Sequence, residues 1–274
     1  PVTGPRLLAR AHTDQVQKAM IAAMELTAER LELSSVHIIF PTEAEWQLLG
    51  KAGWLRRLGL QYHWYNRGYE SFDDFLGSLT SRKRKAIRKE RRKVLDQGIT
   101  LRALNGNEIT THQWDAFYSF YASTYDRKWG YPYLTRGLFE ILSKTMSKKV
   151  VLILAEVEGK AVAGALNFRG DDTLYGRNWG AATHMRFLHF EACYYQAIEY
   201  AICHGLSRVE AGTQGPHKIQ RGYLPVATYS AHYIRNETFR DAVGEYCARE
   251  RRAARFEIAD ISEETPYRRD NACG

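Results

Sequence analysis

The chain has only four cysteines in 274 residues and no CxxC pair, too sparse a set for a disulfide framework. Cys193 and Cys203 fall on one predicted helix, about 15 Å apart along its axis and out of bonding reach. All four are expected to be reduced thiols. No apolar run approaches the roughly 18 to 20 residues that cross a bilayer. The N-terminus also lacks the charged-then-apolar layout of a secretory signal, so a cytoplasmic protein is expected. Metal-ligand spacing is missing as well. His112, His184, His189, His204 and His217 form no HxxxH-type pair with a nearby acid, and neither a metal nor another cofactor is expected.

Apolar residues are plentiful, at 45% hydrophobic and 12% aromatic, enough for one large domain or two modest ones. The net charge of +8 is unevenly spread. Ser81 to Lys93 contains Arg82, Lys83, Arg84, Lys85, Arg88, Lys89, Arg91, Arg92 and Lys93 against the single acid Glu90. Such a helix either meets a polyanion or is a solvated linker.

Hydrophobic spacing predicts a helix over 14–33, a strand over 36–40, a helix over 43–51 with Thr42 as N-cap, and an extended stretch over 58–65. Helices over 111–125 and 135–146 then precede a buried strand over 150–157, with turns at Glu158-Gly159 and Gly170-Asp171-Asp172 marking a three-stranded meander to Trp179. A helix over 187–204 stopped by Gly205, a strand over 207–211 and a last strand over 226–234 complete the order. This is the element order of the acetyltransferase fold. Gly53-Trp54-Leu55 with His63-Trp64 also aligns without a gap onto Gly222-Tyr223-Leu224 with His232-Tyr233. The expected organisation is therefore tandem: the C-terminal half of a first copy over 1–70, a basic linker helix over 71–98 and a complete second copy over 99–274. The opening strands of the first copy are expected upstream of Pro1.

LHFEACYYQAIEYAICHGL runs from Leu188 to Leu206, followed by Glu210-Ala211-Gly212, by Gln214 to Lys218 (QGPHK) and by Arg221 to Pro225 (RGYLP). These segments resemble the FemAB-like predicted N-acyltransferases, which carry a near-identical HFEACYYQ helix and a Gly-Gln-Gly-x-His-Lys-x-x-Arg-Gly loop; here Thr213 is inserted. The likeness extends over all but the last twenty or so residues. It implies a GNAT-type α/β (α+β) fold in a tandem FemAB-like arrangement. It also implies transfer of an acyl or aminoacyl group to an amine, with aminoacyl-tRNA as donor and a peptidoglycan-related acceptor, as in the more distant Fem peptidyltransferases. Lys218 matches the loop lysine of the Fem-type enzymes.

The residues themselves leave alternatives open. Glu191 falls on a stripe with Phe187, Tyr194 and Ile198, where a carboxylate is either catalytic or paired with an arginine. His189, about 200° round the helix from it, reads as a packing histidine. Lys218 is expected to stabilise developing negative charge, the alternative being a solvated lysine. Arg221 either holds a phosphate or pairs with Glu210. Gln214, His217 and Glu210 are expected around the substrate, with Trp179 or Tyr194 as an aromatic wall. Glu191 and Lys218 are expected to converge in one pocket.

Acetyl-CoA-dependent members of the fold hold pyrophosphate on a glycine-rich turn before this helix. The stretch Gly180 to Leu188 has no such turn, which favours a donor such as aminoacyl-tRNA held on the basic helix. An acyl-CoA enzyme with an unconventional site and a non-catalytic binding module are the competing classes.

Overall fold

The computed structural model describes residues 2–9, 14–126, 130–213 and 215–268. In chain order these form α1 (Asp14–Arg30), β1 (Ser35–Ile39), α2 (Glu43–Lys51), β2 (Leu55–Tyr65), α3 (Phe72–Ser78), α4 (Ser81–Leu95), β3 (Ile99–Asn105), α5 (Thr111–Asp126) and α6 (Arg136–Thr145). There follow β4 (Val150–Val157), β5 (Lys160–Arg169), β6 (Thr173–Ala181), α7 (Leu188–Phe190), a π turn (Glu191–Tyr195), α8 (Gln196–Cys203), β7 (Arg208–Glu210), a 3-10 turn (Pro216–Arg221), β8 (Leu224–Ile234) and α9 (Glu237–Glu263). The chain is a mixed α/β protein. No helix among the described residues is long and apolar enough to cross a membrane.

The chain divides into two compact units, Pro1–Gln61 with Pro225–Glu264 and Tyr62–Leu224 with Thr265–Gly274. These boundaries differ from those read in the sequence. The basic helix α4 belongs to the second unit, while β8 and α9 belong to the first.

In the first unit β8 lies beside β1, antiparallel to it from Ser35↔Ile234 to Ile39↔Ser230. Helix α2 starts as expected. Thr42 Oγ1 accepts from Glu45 N at 3.3 Å and Glu45 Oε2 accepts from Thr42 N at 3.0 Å, a reciprocal cap that satisfies two otherwise orphaned donors. It delivers Trp46 and Leu49 to a core with Ile21, Trp54, Leu58 and Ala231.

The second unit holds the meander. β3, β4, β5 and β6 are successive antiparallel neighbours, β6 runs parallel to β7, and β7 pairs with the end of β2 at His63↔Glu210. Side chains alternate across β4. Leu152 and Leu154 meet Trp114 and Phe117 of α5 and Phe139 of α6, whereas Ala155 meets Val94 of α4 and Leu188. Both faces of β4 are therefore covered, which explains its continuous apolar run. Helix α5 lies so close to β6 that a Cβ on Gly180 would fall 2.5 Å from the Phe120 carbonyl carbon.

Three elements went unread in the sequence. Helix α3 is short, β3 is an edge strand with charged and apolar residues mixed, and α9 buries only Cys247 along its length. None presents a long, one-sided apolar stripe, so periodicity was weak where tertiary contacts decide.

Candidate functional site

β6 and β7 pair only from Thr173↔Arg208 to Tyr175↔Glu210, after which β6 continues to Ala181 without that partner. Parallel strands that part in this way open a crevice, where ligands of α/β sheets gather. A bulge sharpens it. Asn167 pairs with Gly176 and Leu166 with Asn178, so Arg177 is the extra residue and its neighbours are re-aimed. A cavity of about 130 Å³, the more polar of two neighbours, lies here, lined among others by Asn167, Arg177, Asn178 and Trp179 from the strands and His189, Cys193 and Tyr194 from the helical segment. An apolar cavity of about 440 Å³ adjoins it, lined among others by Ala181, Met185, Phe187 and Phe190. Trp179 and His189 line both.

The π turn explains which helical residues arrive. Tyr194 is five positions after His189, and the wider i to i+5 turn brings both to one side, their rings 5.4 Å apart. Phe187, just before the helix, has φ +65°, a left-handed conformation that is costly for a phenylalanine and frequent at binding sites. The His189 and Trp179 rings stand nearly perpendicular, their centroids 5.4 Å apart. Burial, aided by His217, Lys218 and Arg221, pushes its pKa down to about 4, so its imidazole is neutral near pH 7. Tyr194 Oη lies 3.0 Å from His217 Nε2, and burial with the Arg221 and Lys218 charges lowers the His217 pKa too. Burial raises the Cys193 thiol pKa well above its usual range, which leaves it an inert wall. Among the described residues Asn178 Oδ1 is buried without a hydrogen-bond partner, an acceptor suited to a ligand N–H.

The residues singled out from sequence separate into two groups. Trp179 and Tyr194 line the polar cavity, and His217 stands directly behind Tyr194. Glu191 does not join them. It is 3% exposed, lines neither cavity, and accepts from Arg91 Nε at 3.1 and 3.2 Å and from Gln196 Nε2 at 2.9 Å. Arg91 also bonds Glu199 at 2.7 Å, so Glu191 takes the paired, structural role. His189, read as packing, reaches both cavities together with Trp179. Arg221 does not pair with Glu210: it donates from Nη2 to both Glu90 oxygens at 2.8 Å and lies 3.5 Å over the Phe190 ring. Glu210 sits 3.2 Å from Arg208 Nε and 3.9 Å from His63 Nε2, away from the cavity lining. Gln214 lies outside the described residues.

Lys218 is buried rather than on a pocket rim. At 4% exposure its Nζ donates to Ala211 O at 2.6 Å and Gly212 O at 3.3 Å, holding the chain where Ala211 lines the polar cavity. The expected convergence of Lys218 with Glu191 in one pocket is thus replaced by two separate supports. Burial pushes the Lys218 pKa down to about 8, below the unfolded value near 10.4. The unfolded chain therefore binds more protons between these values, and stability should rise with pH from about 8 to about 10. Urea midpoints of wild type and Lys218→Met, compared at both ends of that window, are expected to show the rise only in wild type. A parallel response would mean that the buried ammonium is not the titrating group.

The basic helix has two faces. Ile87 and Val94, seven apart, are buried; Glu90 and Arg91 hold Arg221 and Glu191. Arg82, Lys85, Lys89 and Arg92, spaced three and four apart, are exposed along one stripe beside Arg88, which pairs with Asp73 at 2.8 Å. Lys83 and Arg84 are half-buried.

A family model, FemAB-like and described as peptidoglycan biosynthesis/recognition, matches residues 1–269, which extends the likeness through α9. Comparison with curated proteins finds no match. Among solved structures the chain is similar to FemX, at 13% identity and a TM-score of 0.59 over 85% of this chain and 80% of that one. It is also similar to L-PGS from Bacillus licheniformis, at 11% identity and a TM-score of 0.60 over 85% and 77%. A third is the C-terminal domain of a putative lysylphosphatidylglycerol synthetase from Agrobacterium fabrum, at 9% identity and a TM-score of 0.58 over 83% and 76%. At these identities the likeness is one of fold.

Proposed function

Because the chain belongs to the FemAB-like family, we propose that it is a transferase moving an acyl or aminoacyl group onto an amine, at the junction of the two cavities. The observation that carries this reading is a neutral His189 shared by an apolar cavity and a polar one, beside the partnerless acceptor Asn178 Oδ1. The amine enters the polar cavity and donates to Asn178. The apolar part of the second substrate lies among Met185, Phe187 and Phe190. The amine nitrogen bonds to the acyl carbon of an ester, and His189 takes the proton that the nitrogen sheds. The same proton passes to the departing oxygen as the C–O bond breaks. Arg177, which lines the polar cavity, supplies positive charge toward the tetrahedral oxyanion. Tyr194 and His217 orient His189; Lys218, Arg221 and Glu191 hold the walls.

The donor in this reading is aminoacyl-tRNA, its phosphates on the Arg82, Lys85, Lys89 and Arg92 stripe, and the acceptor a peptidoglycan-related amine. The tandem organisation is part of the same proposal. Gly53 and Gly222, which the repeat aligns, have φ +91° and +92°, and each stands two residues before an eleven-residue strand.

The test is amide formation from aminoacyl-tRNA or an acyl thioester to muropeptide amines, followed across a salt series. Transfer from tRNA is expected, with apparent affinity falling by about 0.7 to 0.9 log units per tenfold salt for each phosphate engaged. Replacing all four stripe cations by Ser should flatten that slope by about 3. Salt-independent tRNA use would remove the stripe from the reading, and no amide from any donor would overturn the transferase itself.

A further inference from the structure

The first unit carries a cluster that the transfer reading does not use. His37 on β1 and His232 on β8 are register partners across the antiparallel pair. Their Nδ1 atoms face each other at 2.8 Å, with ring centroids 5.0 Å apart. Each ring is pinned from behind by a serine two residues earlier on its own strand: Ser35 Oγ lies 2.9 Å from His37 Nε2, and Ser230 Oγ lies 3.0 Å from His232 Nε2. Each imidazole thus has its Nε2 tied to a serine and its Nδ1 within hydrogen-bond distance of the other ring's Nδ1, so a metal that displaces the hydrogen shared by the two Nδ1 atoms would meet two nitrogens already held in place.

From this geometry we propose that His37 and His232 form a two-nitrogen site for a divalent transition metal, which would bridge edge strand β1 to β8. The separation selects among metals. Two nitrogens bound at about 2.0 to 2.1 Å stand about 2.9 Å apart at a right angle and about 3.3 Å apart at a tetrahedral one. The observed 2.8 Å matches the right angle. That cis arrangement belongs to square-planar or tetragonal copper and nickel, with zinc requiring the rings to spread.

The remaining positions fall to water, since His37 is exposed and the described residues contain no group of three or more metal-binding side chains. The charged groups facing the pair are Arg57 from β2 and Glu250 from α9, which neutralise each other through a two-point bond of 2.5 and 2.6 Å. The Arg57 charge is therefore already compensated by Glu250.

Copper(II), nickel(II) and zinc(II) chlorides are titrated into the full chain by calorimetry, with the copper complex examined by electron paramagnetic resonance. One copper per chain is expected, with nitrogen hyperfine structure from two imidazoles and the affinity order copper above nickel and zinc. His37→Gln, at an exposed position that should not disturb folding, should weaken copper binding at least tenfold and abolish the rise in melting temperature that a ligand of the folded state produces. Ser35→Ala should weaken it by a smaller factor. Copper binding of unchanged stoichiometry and affinity in His37→Gln, or a spectrum lacking a two-nitrogen signature, would overturn the proposal. Because amide transfer is not measured, this outcome is independent of the site between β6 and β7.

Discussion

Replacing His189 by Gln is expected to slow transfer by about a hundred- to ten-thousand-fold, the usual worth of a positioned proton acceptor, while leaving the melting temperature within a few degrees. The side chain sits where the two cavities meet, against Trp179 and Tyr194, and glutamine keeps much of its volume while losing the basic nitrogen. The pH response separates a proton acceptor from a packing residue. In the proposed reaction His189 works unprotonated, and burial lowers its pKa to about 4, so wild-type transfer should hold steady through neutral pH and decline only as pH falls toward that value. The variant should lack this acid limb. If single-turnover measurements show an unchanged rate and an unchanged limb, the proton is taken elsewhere, and the Tyr194 and His217 pair becomes the acceptor to examine.

Arg221→Met should be the most destabilising single change, lowering the unfolding free energy by about 3 to 5 kcal/mol. Arg221 is 6% exposed and its guanidinium is bonded to Glu90, stacked on Phe190 and donating to His217 O at 2.8 Å. Removing it strands the Glu90 carboxylate, whose other partner is the Tyr195 hydroxyl, in a site that excludes most water. The cost is mainly that of an uncompensated buried charge, so the double variant Glu90→Gln with Arg221→Met should recover much of the loss. Urea denaturation of the two single variants and the double one measures the coupling. Strictly additive effects would show that the pair contributes packing and not charge compensation.

The element order was legible because the meander advertises itself. Val150 to Val157 is a continuous branched run bounded by turn residues, and the strand occupies those residues. Thr42 was readable as a cap because capping is local chemistry, with donor and acceptor three residues apart. The candidate site was legible only in part. HFEACYYQ and the Lys218 loop pointed to the helix and the turn that stand beside the two cavities, where Trp179, Tyr194 and His217 gather. The reading and the structure part at the helix face. A regular three-to-four stripe made Glu191 the inward carboxylate, and nothing local revealed that Arg91, a hundred residues earlier, would claim it.

The sequence by itself determined the family, the strands and helices of the meander, and the clustering of cations on one helix, since each depends on neighbours within a few residues. Tertiary structure alone decided how those cations are used. Arg91 turns inward to Glu191 and Glu90 to Arg221, leaving Arg82, Lys85, Lys89 and Arg92 exposed. It also decided that His189 and not Glu191 reaches the cavities, that Lys218 is a buried strut, and that His37 meets His232. These outcomes depend on a π turn, a bulge at Arg177 and pairings between residues as far as 195 apart. Burial makes such pairings strong, because a charge or polar group removed from water must find its partner wherever the fold provides one.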